Sequence, residues 1–199
     1  LELDSGDVQA NNIMGLLQWR LRQYEEAERY FRRAIDGSGS GSRAAAQHNY
    51  GAFLCDRGRI DEALRSLEKA AADPLYKASA EANLNAGACL MTKPAPVLAE
   101  KYLREALRIN PRLPGALYYM ARITYNSGRT LAARAFIQRY FEASEDSADA
   151  LLLAVQIETA LKDKNAAASY ALRLKSKFPK SDEASRLSST PAQQKDKIR

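Results

Sequence analysis

One histidine in 199 residues leaves little room for catalysis. A Ser-His-Asp or Cys-His arrangement needs an imidazole to carry the proton, and only His48 could supply it. His48 opens a helical stretch and reads as facing a groove or solvent. Cysteine is scarce too. Cys55 and Cys89 form neither a CxxC pair nor a metal set, and no His/Cys/Asp cluster has the spacing of metal ligands. Each cysteine is expected to act as a small buried hydrophobe, which says nothing of the redox compartment. No apolar run approaches the roughly 18 residues of a membrane span, and no long strand-like alternation occurs. Residues 37–42 are Gly/Ser only, but no strand precedes them and no Lys-Ser/Thr follows, which excludes a phosphate loop. They read as a flexible connector. Asp61 and Glu62 are explained by the helix start they occupy, where carboxylates favour the helix dipole. The expectation is a protein without catalytic residues, metal or cofactor. With neither signal peptide nor initiating Met, the chain reads as a processed form or a fragment.

Charge is abundant but lopsided. Residues 1–161 carry 20 Lys+Arg against 20 Asp+Glu, whereas residues 162–199 carry 10 against 4, so the net +6 lies at the end. A basic end can attract nucleic acid or anionic lipid. The reading adopted is a solvated last helix and a basic, disordered tail from residue 185, with no nucleic-acid partner.

The dominant positive signal is a repeat. In the stretch QHNYGAFLCDRGRIDEALRSLEKAAADPLY, from Gln47 to Tyr76, two helices hinge at Gly58. Gly51, Ala63 and Ala70 mark where the helices come too close for larger side chains. From Ala63 the same small residue recurs at Ala27, Ala99, Ala133 and Ala167, at spacings of 36, 36, 34 and 34. Small residues at these offsets and a period near 34 are the tetratricopeptide-repeat signature. The fold class is therefore all-α, a right-handed superhelical solenoid of antiparallel helix pairs. Its units bury their apolar faces against their neighbours. The expected organisation is a single array over residues 1–184. Repeats fall at about 7–36, 44–74, 78–110, 115–144 and 147–178. Leu1–Asp4 reads as the end of a helix from a further repeat upstream. The third repeat turns on TKPAP instead of glycine and is expected to be stiffer. The fifth, with Val155 in place of the tight glycine, is the most degenerate.

In such arrays the first helix of each pair lines the concave face. The positions placed there are Trp19, Arg20, His48, Asn49, Asp56, Leu84, Asn85, Tyr118, Tyr119, Arg122, Tyr125 and Asn126. Tyr118, Arg122 and Tyr125 share one helical face at i, i+4, i+7, and Tyr, Trp and Arg are the types enriched at binding hot spots. The candidate protein-binding residues are Tyr118, Tyr119, Arg122, Tyr125, Asn126, Asn85, Asn49, Trp19 and Arg20. Only Asn49 and Asn85 match the carboxylate clamp of chaperone-binding arrays, which argues against a chaperone adaptor.

Beyond the repeat skeleton, particular words stand out. NYGAFLCDRGRIDEAL followed by ADPLY, then ANLNAGAC, AEKYLREALRINPRLPGAL, ARAFIQRY and AASYALRLKSKFPKSDEA resemble the type IV pilus biogenesis/stability lipoproteins of the PilF/PilW family. The resemblance covers about residues 1–187. It implies a six-repeat protein held by an N-terminal lipid at the periplasmic face of the outer membrane of a Gram-negative bacterium. It also implies a protein partner, the secretin subunit, whose localisation or multimerisation it would aid as a pilotin in twitching motility. The lipidated cysteine itself is not in this sequence. The alternative is a generic scaffold or secretion-system adaptor with another protein partner.

Overall fold

The computed structural model describes residues 6–38, 42–92 and 95–188. These form eleven helices and no strand. They group into two compact units, residues 1–111 and 112–199. The first holds α1 (Val8–Arg20), α2 (Tyr24–Asp36), α3 (Arg43–Asp56), α4 (Ile60–Ala72), α5 (Ser79–Leu90) and α6 (Pro96–Ile109). The second holds α7 (Pro114–Asn126), α8 (Thr130–Ala143), α9 (Ala148–Ala160), α10 (Lys164–Lys177) and α11 (Asp182–Ser188). Odd-numbered helices up to α9 are the first helices of pairs, and even-numbered ones are the second.

Local chemistry sets the helix ends. Asp7, Ser42, Ser147 and Asp163 cap α1, α3, α9 and α10 by accepting from the backbone N–H three residues on. α6 and α7 start with proline, whose fixed φ suits the first turn. Within a pair the turn needs one left-handed residue, and Gly58 and Gly128 supply it at φ of 72° and 76°. The same position is Arg22 in the first pair and Lys162 in the last, at 60° and 62°.

The second helices bury one stripe: Ala27, Phe31 and Ala34 in α2; Ala63, Leu67 and Ala70 in α4; Ala99, Leu103 and Ala106 in α6. Their i, i+4, i+7 spacing keeps three side chains on one face. Opposite each middle residue the first helix carries glycine. A Cβ on Gly87 would lie 2.6 Å from Leu103 Cγ and 3.2 Å from the Ala99 carbonyl oxygen. In the fifth pair the sizes are exchanged, Val155 standing at the glycine position and Ala171 sixteen residues on. Gly87→Val should therefore cost about 1–3 kcal/mol through overpacking. Adding Leu103→Ala, which copies the exchange of the fifth pair, should restore part of that loss. Urea unfolding of both variants checks it, and a double variant weaker than the single one would refute the exchange.

Several sequence expectations meet a different structure. The cysteines are not free thiols: Cys55 and Cys89 form a disulfide across α3 and α5, with Cα atoms 5.7 Å apart. Their separation of 34 residues falls two short of the local 36-residue period, which sets them on facing flanks of neighbouring helices. The tail does not begin at residue 185. Residues 185–188 complete α11, whose start is capped by Ser181. Ala184 and Leu187, one turn apart, pack on Leu151, Leu152 and Leu174. The first two pairs, despite the Gly/Ser stretch between them, are joined directly. Val8, Ala34 and Ala46 form one buried cluster, and the Arg43 guanidinium donates to the Gly37 carbonyl at 2.8 Å. The expected upstream helix end at Leu1–Asp4, the centre of the Gly/Ser connector and residues 189–199 lie outside the described residues, as do two residues of the TKPAP turn.

Candidate functional site

In residues 1–111 the polar side chains expected to face a partner are bonded across pairs. Trp19 Nε1 donates to Asp56 Oδ2 at 3.0 Å, and its ring meets Phe53 edge-on at 5.8 Å. Asn49 Nδ2 donates to Asn12 Oδ1 at 3.1 Å. Asn85 Nδ2 donates to His48 Nε2 at 2.7 Å. All three contacts span 37 residues, one repeat plus one step, so a single register rule ties successive first helices together. Arg20 ends α1 and is exposed, while Leu84 is half-buried.

His48 holds a junction. Its Nε2 accepts from Asn85, so the neutral ring carries its proton on Nδ1 and donates it to Tyr76 Oη, 2.7 Å away. Burial pushes the His48 pKa below its ordinary value, with Glu81 opposing. The unfolded chain then binds this proton at a higher pH than the folded one. The stabilising contribution is complete above the ordinary histidine value and is lost as pH falls through the range below it. His48 is the only histidine, so it is the side chain that titrates in that window. Melting between pH 7.5 and 5.5 should show stability falling with acid by at most about 1.4 kcal/mol per pH unit, and His48→Gln should flatten the slope. An unchanged slope in that variant would refute this assignment.

A charged knot lies beside α3. Glu28 accepts from Tyr50 Oη at 2.8 Å, from Arg59 at 2.7 Å and from Arg32 at 2.7 Å. Burial alone would raise the Glu28 carboxyl, but these donors outweigh it and hold the pKa at about 2. Arg59 also grips both oxygens of Glu62, at 2.8 and 2.7 Å.

Residues 112–199 gather the aromatic candidates. Tyr118 packs against Tyr119 at 5.5 Å and Tyr140 at 6.2 Å. Burial raises the Tyr118 hydroxyl pKa, as does Asp149, whereas Arg122 lowers it. Arg122 and Asn126 are exposed, and Tyr119 and Tyr125 are half-buried. The rings continue from Tyr140 to Phe141 and Tyr170, each step 5.4 Å. Arg173 caps that row at 5.1 Å over Phe141 and pairs with Asp146. Tyr140 and Phe141 belong to α8 and Tyr170 to α10, second helices whose residues the concave-face pattern of first helices does not include. Trp19, Arg20, Asn49 and Asn85 lie in the first unit, and Tyr118, Tyr119, Arg122, Tyr125 and Asn126 lie in the second.

Among the described residues no group of acidic, histidine or cysteine side chains could hold a metal, and no helix is long and apolar enough to cross a membrane. The arrangement offers aromatic area, an exposed guanidinium and amides, which suits recognition of polypeptide.

Comparison with known proteins agrees in kind. A tetratricopeptide-repeat family model matches residues 12–75 and 54–114. The model of the second ARM domain of tetratricopeptide repeat protein 21 matches residues 91–162. The chain is similar to the type IV pilus assembly protein PilF of Pseudomonas aeruginosa strain PAO1, 27% identical over 179 residues, 90% of this chain and 70% of PilF. Its structure is similar to that of PilW, described as a widely conserved type IV pilus biogenesis factor. That match has a TM-score of 0.81 and 32% identity, and covers 94% of this chain and 84% of PilW. The structure of Pseudomonas aeruginosa PilF matches at a TM-score of 0.83, with 26% identity and the same coverages, 94% and 84%.

Proposed function

The chain belongs to the tetratricopeptide-repeat family of type IV pilus biogenesis factors, and from that premise we propose that it is a non-catalytic binding module that aids localisation or multimerisation of the outer-membrane secretin. The observation that carries the reading is the likeness to PilW over nearly the whole chain. The Cys55–Cys89 disulfide adds support, because such bonds persist in oxidising compartments such as the periplasm. On this reading the protein works at the periplasmic face of the outer membrane, tethered through an N-terminal lipid anchor carried outside this sequence.

The surface assigned to the secretin subunit is that of Tyr118, Tyr119, Arg122, Tyr125 and Asn126. Rings supply contact area at low entropic cost, and Arg122 can pair with a carboxylate or stack on a partner ring. Tyr118→Ala with Arg122→Ala should weaken binding of the purified secretin subunit by about 2 kcal/mol or more, with an unchanged helical circular dichroism spectrum. Unchanged affinity in a folded double variant would move the site to Trp19 and Arg20. Failure of the parent protein to bind the secretin subunit would remove the reading.

A further inference from the structure

A cavity of about 260 Å³ opens in residues 1–111 between the second helices α2 and α4, over the flank of α3. Its lining is mainly polar, and its smaller apolar part comes from Ile35, the Tyr50 ring and Leu54. Its wall is rigid. Arg32 is paired with Glu28, and Glu62 is held through both oxygens by Arg59. Other lining groups are uncommitted. Arg65 and Lys69 stand exposed one turn apart on α4, with no ion-pair or hydrogen-bond partner among the described residues. Arg65 acts on Glu62 only at a distance. The Gln47 amide, also in the lining, is equally unengaged. On the opposite rim Asp36 is an exposed carboxylate. The site is therefore polarised, with free cations on the α4 side and an acceptor on the α2 side.

We propose that this cavity is a second protein-binding site, taking an internal acidic–apolar pair of a partner polypeptide. The branched apolar side chain sits on Ile35, Tyr50 and Leu54, and the neighbouring Glu carboxylate meets Arg65 and Lys69. Asp36 repels that carboxylate and accepts from a partner N–H, which fixes one orientation. An internal carboxylate fits better than a chain terminus. A backbone nest for a chain terminus needs free N–H groups, and at Arg32, Gln47, Arg65 and Lys69 these are spent inside α2, α3 and α4.

Capped dipeptides added to the full chain, followed by NMR, test this. Acetyl-Glu-Leu-amide should give saturable shifts at the Ile35 and Leu54 methyls and the Gln47 amide. Acetyl-Gln-Leu-amide lacks the charge and acetyl-Glu-Ala-amide lacks the branched side chain, so each should bind about tenfold more weakly or worse. Arg65→Gln with Lys69→Gln, two exposed changes, should leave circular dichroism intact and lose a similar factor. Saturation at none of these resonances would overturn the proposal. So would equal binding of the Gln probe, or a folded double variant that binds like the parent. If acetyl-Gln-Leu with a free terminal carboxylate alone binds, the occupant is a chain end and the internal-pair assignment fails. The Tyr118→Ala/Arg122→Ala protein should bind acetyl-Glu-Leu-amide as the parent does, so this site and the secretin reading fail separately.

Discussion

Breaking the Cys55–Cys89 bond should lower the stability of residues 1–111 by about 3–4 kcal/mol, the largest loss expected from any single change described. The estimate follows from the loop closed in the unfolded chain: a separation of 34 residues removes a corresponding share of its conformational freedom. Cys89 is 1% exposed and Cys55 half-buried, so after reduction the Cys89 sulfur still packs as a small hydrophobe, and the folded state loses less than the unfolded state gains. Thermal melts with and without reductant should differ for the parent and coincide for Cys55→Ser. Hydrogen exchange should rise first in α3 and α5, since loosening in a repeat protein stays near the altered unit. Coincident melts for the oxidised parent and Cys55→Ser would mean that the bond contributes nothing.

Removing Arg134 is the second large effect, and it acts in residues 112–199. Glu158 lies in the last turn of α9 and is 1% exposed. Arg134 Nε donates to it at 3.0 Å, and a second guanidinium N–H reaches its other oxygen. Arg134→Met strands a carboxylate where water does not reach, at a cost of about 3 kcal/mol. Glu158→Leu alone costs less, because Arg134 is partly exposed and keeps Asp163 at 3.4 Å. The double variant Arg134→Met/Glu158→Leu should recover most of the stability, since an apolar pair of similar volume carries no desolvation penalty. Chemical denaturation of the four proteins forms a complete cycle. A double variant as weak as Arg134→Met would show that packing, not charge, holds α8 to α9.

Why the pairs formed was legible in the chain because the causes are local. Ala27, Ala63 and Ala99 repeat because a helix crossing excludes bulk at one position per unit, and that exclusion is visible in one dimension. The glycine turns and prolines punctuate for equally local reasons. The candidate site was less legible. Tyr118 and Arg122 were found from their spacing on one helix, but Tyr140, Phe141 and Tyr170 join the same aromatic row from α8 and α10. No spacing rule within one helix links them.

The sequence by itself determined the helical class, the pairing of helices, and that one histidine and two cysteines are all the chain offers for such chemistry, since period and composition suffice for those. Only the tertiary structure decided that Cys55 and Cys89 are bonded. A 34-residue separation gives a repeat but not the flanks on which two side chains meet. It also decided that Trp19, Asn49 and Asn85 are tied across pairs, because the 37-residue contact depends on how far each helix slides past its neighbour. Likewise it placed Ala184 and Leu187 on the end of the core, where two apolar residues in a polar tail find Leu151, Leu152 and Leu174 left open. Side-chain partners across helices depend on stacking geometry, and stacking is the term a one-dimensional pattern does not carry.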